Sequence, residues 1–343
     1  MNKSIEIYEW EEIKCYFSGF ILLGNGASIS IDERFRYKSL FDEACKENFL
    51  SDESVELFEK FKTCDFEYIL RMLWHAQLVN KSLKIQENKT IRHYNEIKLA
   101  LIKIVRKIHP SYKEIMPFFK NAGNFLKRFD VVFSLNYDLI VYWLMLYNNN
   151  CDRSHAFKDC FKDHIDTCSF TDNWRKYRVP INQQRKSTLV FYPHGNLILA
   201  QKNDAEYKLK NSIDENLLLE RILAKWMSDG YIPQFISEGT SQQKINAINR
   251  SHYLNTVYYD IFQTCHDNLT IYGCSFSEND NHLFSVLKSK KFNIDKIAVS
   301  VYGEDNEIQQ YCKHVTSVIH QLSNRQDIKI YFFKSNSANC WIN

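Results

Sequence analysis

The stretch at residues 20–28, which reads FILLGNGAS, constrains the fold more than any other part of the sequence. Its four consecutive apolar residues predict a short β-strand that is buried on both faces. The apolar run stops at Gly24, Asn25 and Gly26, where small residues let the backbone turn tightly and approach a ligand. A buried strand that ends in a glycine turn is typical of α/β folds, which present backbone N–H groups to a phosphate at this point. Because Ile29 stands where the dinucleotide fingerprint has its third glycine, a plain tight turn stays an alternative.

Further short apolar runs alternate with helical patterns along the chain. The other predicted strands are residues 130–134, 188–192, 269–272, 296–301 and 328–333. Strands that alternate with helices favour a doubly wound, mostly parallel, Rossmann-like α/β sheet. Helical spacing of apolar residues predicts a helical insertion at about 51–128, and a polar segment at about 147–186 predicts a long excursion. We interpret residues 1–343 as one domain that contains both the helical insertion and the polar excursion.

Composition and charge argue against several classes of protein. The formal net charge of +3 over 343 residues gives no support for direct nucleic-acid binding or for a membrane-surface role. No apolar run approaches the ~20 residues that span a bilayer, and the N-terminal residues lack the apolar segment of a secretion signal. Ten cysteines in such a chain are expected to be reduced thiols. We therefore predict a cytoplasmic protein.

The cysteines give little support for a metal site. No Cys-x-x-Cys pair occurs, which argues against a four-cysteine zinc site. Cys160, His164 and Cys168 are spaced four apart and would share one face of a helix. A loop with scattered thiols is the alternative for this segment. Because no clear fourth ligand accompanies these three residues, we predict no metal.

Small or polar residues follow five of the predicted strands. They are Gly24-Asn25-Gly26, Asn136-Tyr137-Asp138, His194-Gly195, Gly273 with Ser275, and Tyr302-Gly303-Glu304. In doubly wound sheets, ligands bind beyond the carboxyl ends of the strands. We therefore expect these five segments to meet at one edge of the sheet and to form a ligand site there.

Four motifs in this order resemble the sirtuin fold in its bacterial, stand-alone form. They are GNGAS at residues 24–28, SLNYD at 134–138, HG at 194–195 and GCSFS at 273–277. The resemblance extends from about residue 20 to about residue 302. It implies that the site binds NAD as a substrate, and that the bond between nicotinamide and ribose is cleaved there.

The resemblance also implies roles for individual residues. Asn136 and His194 correspond to the catalytic asparagine and histidine. The NAD-binding residues that it implies are Gly24, Asn25, Gly26, Ser28, Phe35, Asp138, Gly273 and Ser275. Phe35 corresponds to the phenylalanine that shields the nicotinamide pocket, although the spacing here is one residue shorter and the preceding Pro-Asp is absent.

Sirtuin deacylases carry a four-cysteine zinc module, which has no counterpart in this sequence. Bacterial sirtuin-like proteins of this form often hydrolyse NAD in antiviral defence. The resemblance therefore implies an NAD glycohydrolase, an abortive-infection effector that depletes cellular NAD. It further implies that a homo-oligomer or a partner protein controls the activity. Two alternatives stay open: a non-catalytic regulatory subunit that binds NAD or ADP-ribose, and an NAD-dependent protein deacylase.

The residue types suit this chemistry, although each has another interpretation. A carboxamide such as Asn136 can position water or a ribose hydroxyl, and a neutral His194 can accept a proton near pH 7. His194 could instead be a core histidine, and Asn136 could cap a helix. Ser275 lies in a Gly-x-Ser-x-Ser turn, which differs from the Gly-x-Ser-x-Gly elbow of hydrolases at one position. Asp305 and His320 could complete a catalytic triad with it.

Overall fold

The computed structural model describes residues 5–36, 39–163, 167–202, 205–209, 215–228, 230–236, 238–289, 291–323, 325 and 327–343. Within these ranges the strands are β1 (Ile7–Tyr8), β2 (Phe20–Leu23), β3 (Val131–Ser134), β4 (His155–Lys158), β5 (Phe161–Asp163), β6 (Thr167–Phe170), β7 (Lys186–Phe191), β8 (Gly195–Lys202), β9 (Ala205–Leu209), β10 (Ile232–Phe235), β11 (His266–Tyr272), β12 (Asn293–Val301) and β13 (Lys329–Lys334). The helices are α1 (Trp10–Ile13), α2 (Asn25–Ile29), α3 (Leu40–Lys46), α4 (Asp52–Lys60), α5 (Phe66–Ser82), α6 (Lys89–Ile108), α7 (Tyr112–Ile115), α8 (Phe119–Leu126), α9 (Ile140–Cys151), α10 (Leu218–Met227), α11 (Ser241–Arg250), α12 (His252–Asn255), α13 (Asn281–Phe284) and α14 (Asp305–Leu322).

Eight strands form the central sheet, in the order β1-β13-β12-β11-β2-β3-β7-β4. Each pairing recorded between neighbours in this sheet is parallel. From β2 the chain continues to β3 and β7 on one side, whereas β11, β12 and β13 extend the sheet on the other side. The strand order therefore reverses between β2 and β11, where doubly wound sheets bind ligands. The predicted α/β class with a mostly parallel sheet is confirmed.

A second sheet was not predicted from the sequence. It has five antiparallel strands in the order β10-β8-β9-β6-β5. Much of the predicted excursion at residues 147–186 is in fact regular structure, because β4 joins the central sheet and β5 and β6 join the second sheet. These strands have only three or four residues each and pair with distant segments, so they have no clear local pattern.

The described residues of the segment that contains Cys160 and Cys168 form strands and a connection, and no helix. Cys160 precedes β5 and Cys168 lies in β6, and both side chains are buried. His164 lies outside the described residues. The prediction that Cys160 and Cys168 would share one face of a helix is therefore wrong.

The segment between β2 and β3 is helical, as predicted. It contains α4 to α8, and the Ser51 hydroxyl accepts a hydrogen bond from the Ser54 N–H at the start of α4. Helix α6 ends at Ile108, directly before His109 and Pro110, because a proline disfavours a helical residue before it. None of the helices in the described part of the chain is long and apolar enough to cross a bilayer.

Helix α9 follows the loop after β3 and is buried in the core. Its residues Val141 to Leu144 are at most 4% exposed, and the Trp143 ring packs edge-on against His109. His109 in turn accepts a hydrogen bond at Nε2 from the N–H of Leu139, 3.0 Å away. The core therefore holds the start of α9, and with it the preceding loop, in place.

Candidate functional site

A cavity of about 790 Å³ opens at the carboxyl ends of the central strands, where the strand order reverses. Its volume lies within the range of small-molecule sites, roughly 300–1,000 Å³. Nine of the ten predicted site residues line it: Gly24, Asn25, Gly26, Phe35, Asn136, Asp138, His194, Gly273 and Ser275. Ser28 is the exception. The five strand-end segments thus contribute to one cavity, and the roles of their residues stay predictions.

The glycine turn after β2 packs against the loop after β11. The N–H of Gly26 donates to the carbonyl of Gly273 over 2.8 Å, and the N–H of Gly24 donates to Tyr272 over the same distance. A Cβ on Gly24 would lie 2.6 Å from the carbonyl oxygen of Gly273. Close approach between two backbones therefore accounts for these glycines, and at least two N–H groups of the turn are already engaged within the protein.

Asn136 is held by hydrogen bonds that use both hydrogens of its amide. Its Nδ2 donates to the carbonyl of Gly24 at 3.0 Å and to the hydroxyl of Ser28 at 2.7 Å. The Ser28 hydroxyl then donates to Oδ2 of Asp138 at 2.5 Å. Ser28 is only 1% exposed, so it lies behind Asn136 and connects it to Asp138. The amide oxygen of Asn136 is the atom of this side chain left to accept a hydrogen bond from a ligand.

Asp138 is buried, and this burial changes the pKa of its carboxyl group. Burial raises the pKa of this carboxyl group to about 6, although hydrogen bonds from Ser28 and from the N–H of Ile140 act in the opposite direction. At neutral pH the ionised carboxylate is the form that accepts both hydrogen bonds. Asp138 also supports the start of α9, so its helix-capping interpretation and its place at the cavity are compatible.

The loop that carries His194 is joined directly to the loop that carries Asn136. The side chain of Asn196 donates to the carbonyl of Asp138 at 2.6 Å, and the N–H of Leu197 donates to the carbonyl of Tyr137 at 2.8 Å. Asn196 is completely buried. These contacts hold the two predicted catalytic side chains at the same cavity.

His194 forms a close pair with a second histidine. Its Nε2 lies 2.8 Å from Nε2 of His282, and the two rings stack with centroids 5.1 Å apart and an angle of 22° between their planes. Burial, the Lys244 ammonium and His282 together hold the pKa of His194 well below its usual value. Burial lowers the pKa of His282 to about 4. Both imidazoles are therefore neutral at pH 7.

The two histidines form a cluster with Asp280 in which the potential metal-ligating atoms lie within 4.8 Å of one another. However, the Asp280 carboxylate binds the buried Lys244 ammonium at 2.6 Å, so its charge is already balanced. The 2.8 Å between the two Nε2 atoms suits a hydrogen bond, whereas two ligands about 2.0–2.1 Å from a shared zinc ion lie farther apart. We interpret the cluster as a hydrogen-bonded network.

Phe35 and Asn25 form one wall of the cavity. Phe35 is 2% exposed and packs edge-on against His109 at 5.5 Å. The side chain of Asn25 donates to the carbonyl of Phe35 at 3.2 Å and so ties this wall to the glycine turn. The shorter spacing between the glycine turn and Phe35 is thus compatible with a place beside the cavity.

Ser275 lines the cavity and is exposed, but the proposed triad around it is wrong. Asp305 and His320 lie on the same continuous helix, α14, fifteen residues apart. At 1.5 Å per residue they are separated by about 22 Å along the axis, so one serine cannot reach both.

Several cavity groups were not predicted as site residues, among them Glu238 and Lys244. Oε1 of Glu238 accepts from the N–H of Leu40 at 2.5 Å, and its Oε2 is buried. Burial raises the pKa of Glu238 to about 7. Glu238 lies between β10 and α11, and Lys244 lies in α11. Neither residue follows a strand of the central sheet, where the sequence predicts the site.

A family model described as a domain of unknown function (DUF4917) matches residues 21–341. The match includes every predicted site residue that lines the cavity. A search among curated proteins found no significant match.

Proposed function

The chain belongs to the DUF4917 family, and we propose that it is an NAD glycohydrolase that converts NAD⁺ and water into ADP-ribose and nicotinamide. The observation that carries the proposal is that Asn136 and His194 line one cavity with Gly24 and Gly273 at the reversal of the strand order. An amide and an imidazole at the switch point of an α/β sheet suit a nucleotide substrate whose reaction needs positioning and one proton acceptor.

The proposed reaction breaks the bond between C1′ of the ribose and the nicotinamide nitrogen. The electron pair of that bond goes to the nicotinamide ring, which leaves as a neutral molecule. A water oxygen forms the new bond to C1′, and its proton passes to His194 and then to solvent. The amide oxygen of Asn136 accepts a hydrogen bond from the water or from a ribose hydroxyl and holds it for attack.

A neutral His194 suits this chemistry because the leaving group needs no proton. The Lys244 ammonium and the burial that lower its pKa also make it a weak base in the free protein. Electrostatic attraction from the negative diphosphate of bound NAD would favour the protonated ring. We therefore expect proton transfer to His194 to be more favourable in the complex than in the free protein.

The proposal extends to biological context. All ten cysteines are free thiols, which is compatible with a reducing cytoplasm. We propose that the chain acts there as an effector of antiviral defence that depletes NAD, and that a homo-oligomer or a partner protein controls its activity. The proposal includes no metal and no direct binding of nucleic acid or membrane.

The test is nicotinamide release from NAD, measured with the purified chain and with the chain co-expressed with its genomic neighbours under phage challenge. Asn136→Ala and His194→Ala are expected to abolish release. Asn121→Ala and His252→Ala are matched controls, because both residues lie outside the cavity, and they should retain activity. Undiminished release in both site variants would overturn the assignment.

The same assays separate the two alternatives. A non-catalytic regulatory subunit would bind NAD or ADP-ribose and leave it intact in every complex. A deacylase would release nicotinamide only when an acylated peptide is present. Either result would replace the hydrolase proposal.

A further inference from the structure

The pair formed by His194 and His282 connects a predicted catalytic residue to one that the sequence motifs do not include. Their Nε2 atoms lie 2.8 Å apart, which is a hydrogen-bond distance. Since both rings are neutral at pH 7, one ring donates an N–H and the other accepts it. The direction of this bond determines whether the other nitrogen of His194, Nδ1, carries a proton or a lone pair.

The backbone of His282 is held in place from two sides. The hydroxyl of Tyr258 donates to the His282 carbonyl at 2.5 Å, and the hydroxyl of Ser285 donates to the same carbonyl at 2.8 Å. Tyr258 comes from the helical segment after α12, and its ring centroid lies 6.2 Å from that of His282. His282 itself is 3% exposed and is not part of the cavity lining. It is therefore a fixed group behind His194 and does not face the substrate.

We infer that His282 is a positioning residue for His194, which accepts the Nε2–H of His194 and so leaves the Nδ1 lone pair of His194 for the substrate. The role of His282 in catalysis rests on the proposed function, whereas the hydrogen bond between the two histidines does not. Among the described residues no hydrogen bond occupies Nδ1 of His194, which leaves this atom for a ligand. A base that is oriented by a third group is the usual arrangement in acid–base catalysis.

The surroundings of His282 favour this direction of the hydrogen bond. Nδ1 of His282 is buried and has no hydrogen-bond partner among the described residues, while the backbone of Asn279 acts on the ring and raises its pKa. A group that raises this pKa favours a proton on the ring, and when that proton is on Nδ1 the Nε2 atom is the acceptor. The charged groups that face the pair are Lys244 and Asp280, which neutralise each other at 2.6 Å.

The first experiment measures the tautomers of His194 and His282 by nitrogen NMR of histidine-labelled protein, which requires no turnover. We expect His194 as the Nε2–H tautomer and His282 as the Nδ1–H tautomer. In His282→Ala, His194 should become a mixture of tautomers. A wild-type His194 that carries its proton on Nδ1 would overturn the inference, whether or not the protein hydrolyses NAD.

The second experiment measures nicotinamide release. His282→Ala should lower kcat about 100-fold and change KM for NAD less than threefold, because His282 acts through His194. His282→Gln places an amide near the position of Nε2 and should recover most of kcat, while the exposed His252→Ala should match the wild type. An unchanged kcat in His282→Ala would overturn the inference.

A third measurement addresses the metal interpretation of the same cluster. The inference predicts less than a tenth of an equivalent of zinc in the purified protein by elemental analysis. One equivalent of zinc that is lost in His282→Ala would overturn the inference, because the ion would then occupy the place of the shared proton. If the tautomers are as expected but no complex releases nicotinamide, the histidine pair stands and the hydrolase proposal fails.

Discussion

Gly26 and Gly273 are in direct backbone contact. The Gly26 N–H donates to the Gly273 carbonyl at 2.8 Å, and a Cβ on Gly26 would lie 2.7 Å from Cα of Gly273. Gly273 has a φ of +69°, which residues with a side chain rarely adopt. The loops after β2 and β11 are therefore packed together as one unit, and both glycines line the cavity.

We predict that Gly273→Ala destabilises the protein more than Gly230→Ala does. Both glycines have positive φ, so both substitutions carry the strain of a left-handed residue, about 1–2 kcal/mol. A Cβ on Gly273 would also lie 2.5 Å from the backbone nitrogen of Ala27, whereas one on Gly230 would meet side-chain atoms at an ordinary 3.8 Å. We expect an extra loss of about 1–3 kcal/mol at Gly273 in urea unfolding. Equal losses would contradict the close packing of the two loops.

Ser28→Ala is predicted to weaken catalysis more than ligand binding. Ser28 lies behind Asn136 and connects it to Asp138, so its loss frees the Asn136 amide to rotate. We expect kcat for nicotinamide release to fall about tenfold, and the free energy of unfolding to fall by about 1–3 kcal/mol because buried polar groups lose partners.

The matched control is Ser82→Ala, which removes an exposed hydroxyl that donates to the Leu78 carbonyl and lies outside the cavity lining. Binding of ADP-ribose, measured by calorimetry, should be similar in both variants and in the wild type. If Ser28→Ala instead weakens binding and leaves kcat unchanged, Ser28 contacts the ligand directly, as the resemblance to sirtuins implies.

The central sheet could be predicted because its strands are marked locally. Strand β2 is observed at Phe20–Leu23, as predicted, because a run of four apolar residues that ends at a glycine is typical of a short buried strand. Strands β5, β6 and β9 could not be predicted. Their residues are mixed in character, and the pairing of Cys168 with Lys208 joins positions forty residues apart. Such strands are stabilised by tertiary contacts that no local window contains.

The candidate site also contains residues that could be predicted from the sequence and residues that could not. Asn136 and His194 follow predicted strands, and their common location follows from the rule that parallel strands end at one edge. The contact of His194 with His282 spans 88 residues, and the short helix that carries His282 has no periodic pattern. Asn196, which binds the carbonyl of Asp138, appears in the sequence only as one polar residue at the start of an apolar run.

Tyr302→Ala is predicted to weaken the binding of NAD without changing kcat. Tyr302 follows β12 at the cavity, and 81% of its surface is exposed, so its ring is free to stack on a base. Stacking of a base on an aromatic ring contributes about 1–3 kcal/mol, so KM should rise about tenfold. Tyr302→Phe should retain the wild-type KM, and Tyr16→Ala, away from the cavity, should change neither constant. A fall in kcat with constant KM would contradict a stacking role.

Asp138→Asn is predicted to make the protein less sensitive to pH. Burial raises the pKa of Asp138 from 3.8 to about 6, so the folded protein holds this proton more tightly than the unfolded chain does. The free energy of unfolding of the wild type should therefore fall as the pH rises from about 4 to about 6, and this loss is absent in the variant.

Relative to the wild type, Asp138→Asn should gain about 2 kcal/mol between pH 4 and pH 7, because the pKa shift is about two units, each unit corresponds to about 1.4 kcal/mol, and part of the change lies below pH 4. The measurement is urea unfolding of both proteins at each pH. The other titrating groups are common to the two proteins, so their contributions cancel in the difference. A difference that stays constant from pH 4 to pH 7 would contradict the raised pKa, and with it the buried, partly desolvated position of Asp138 beside Ser28.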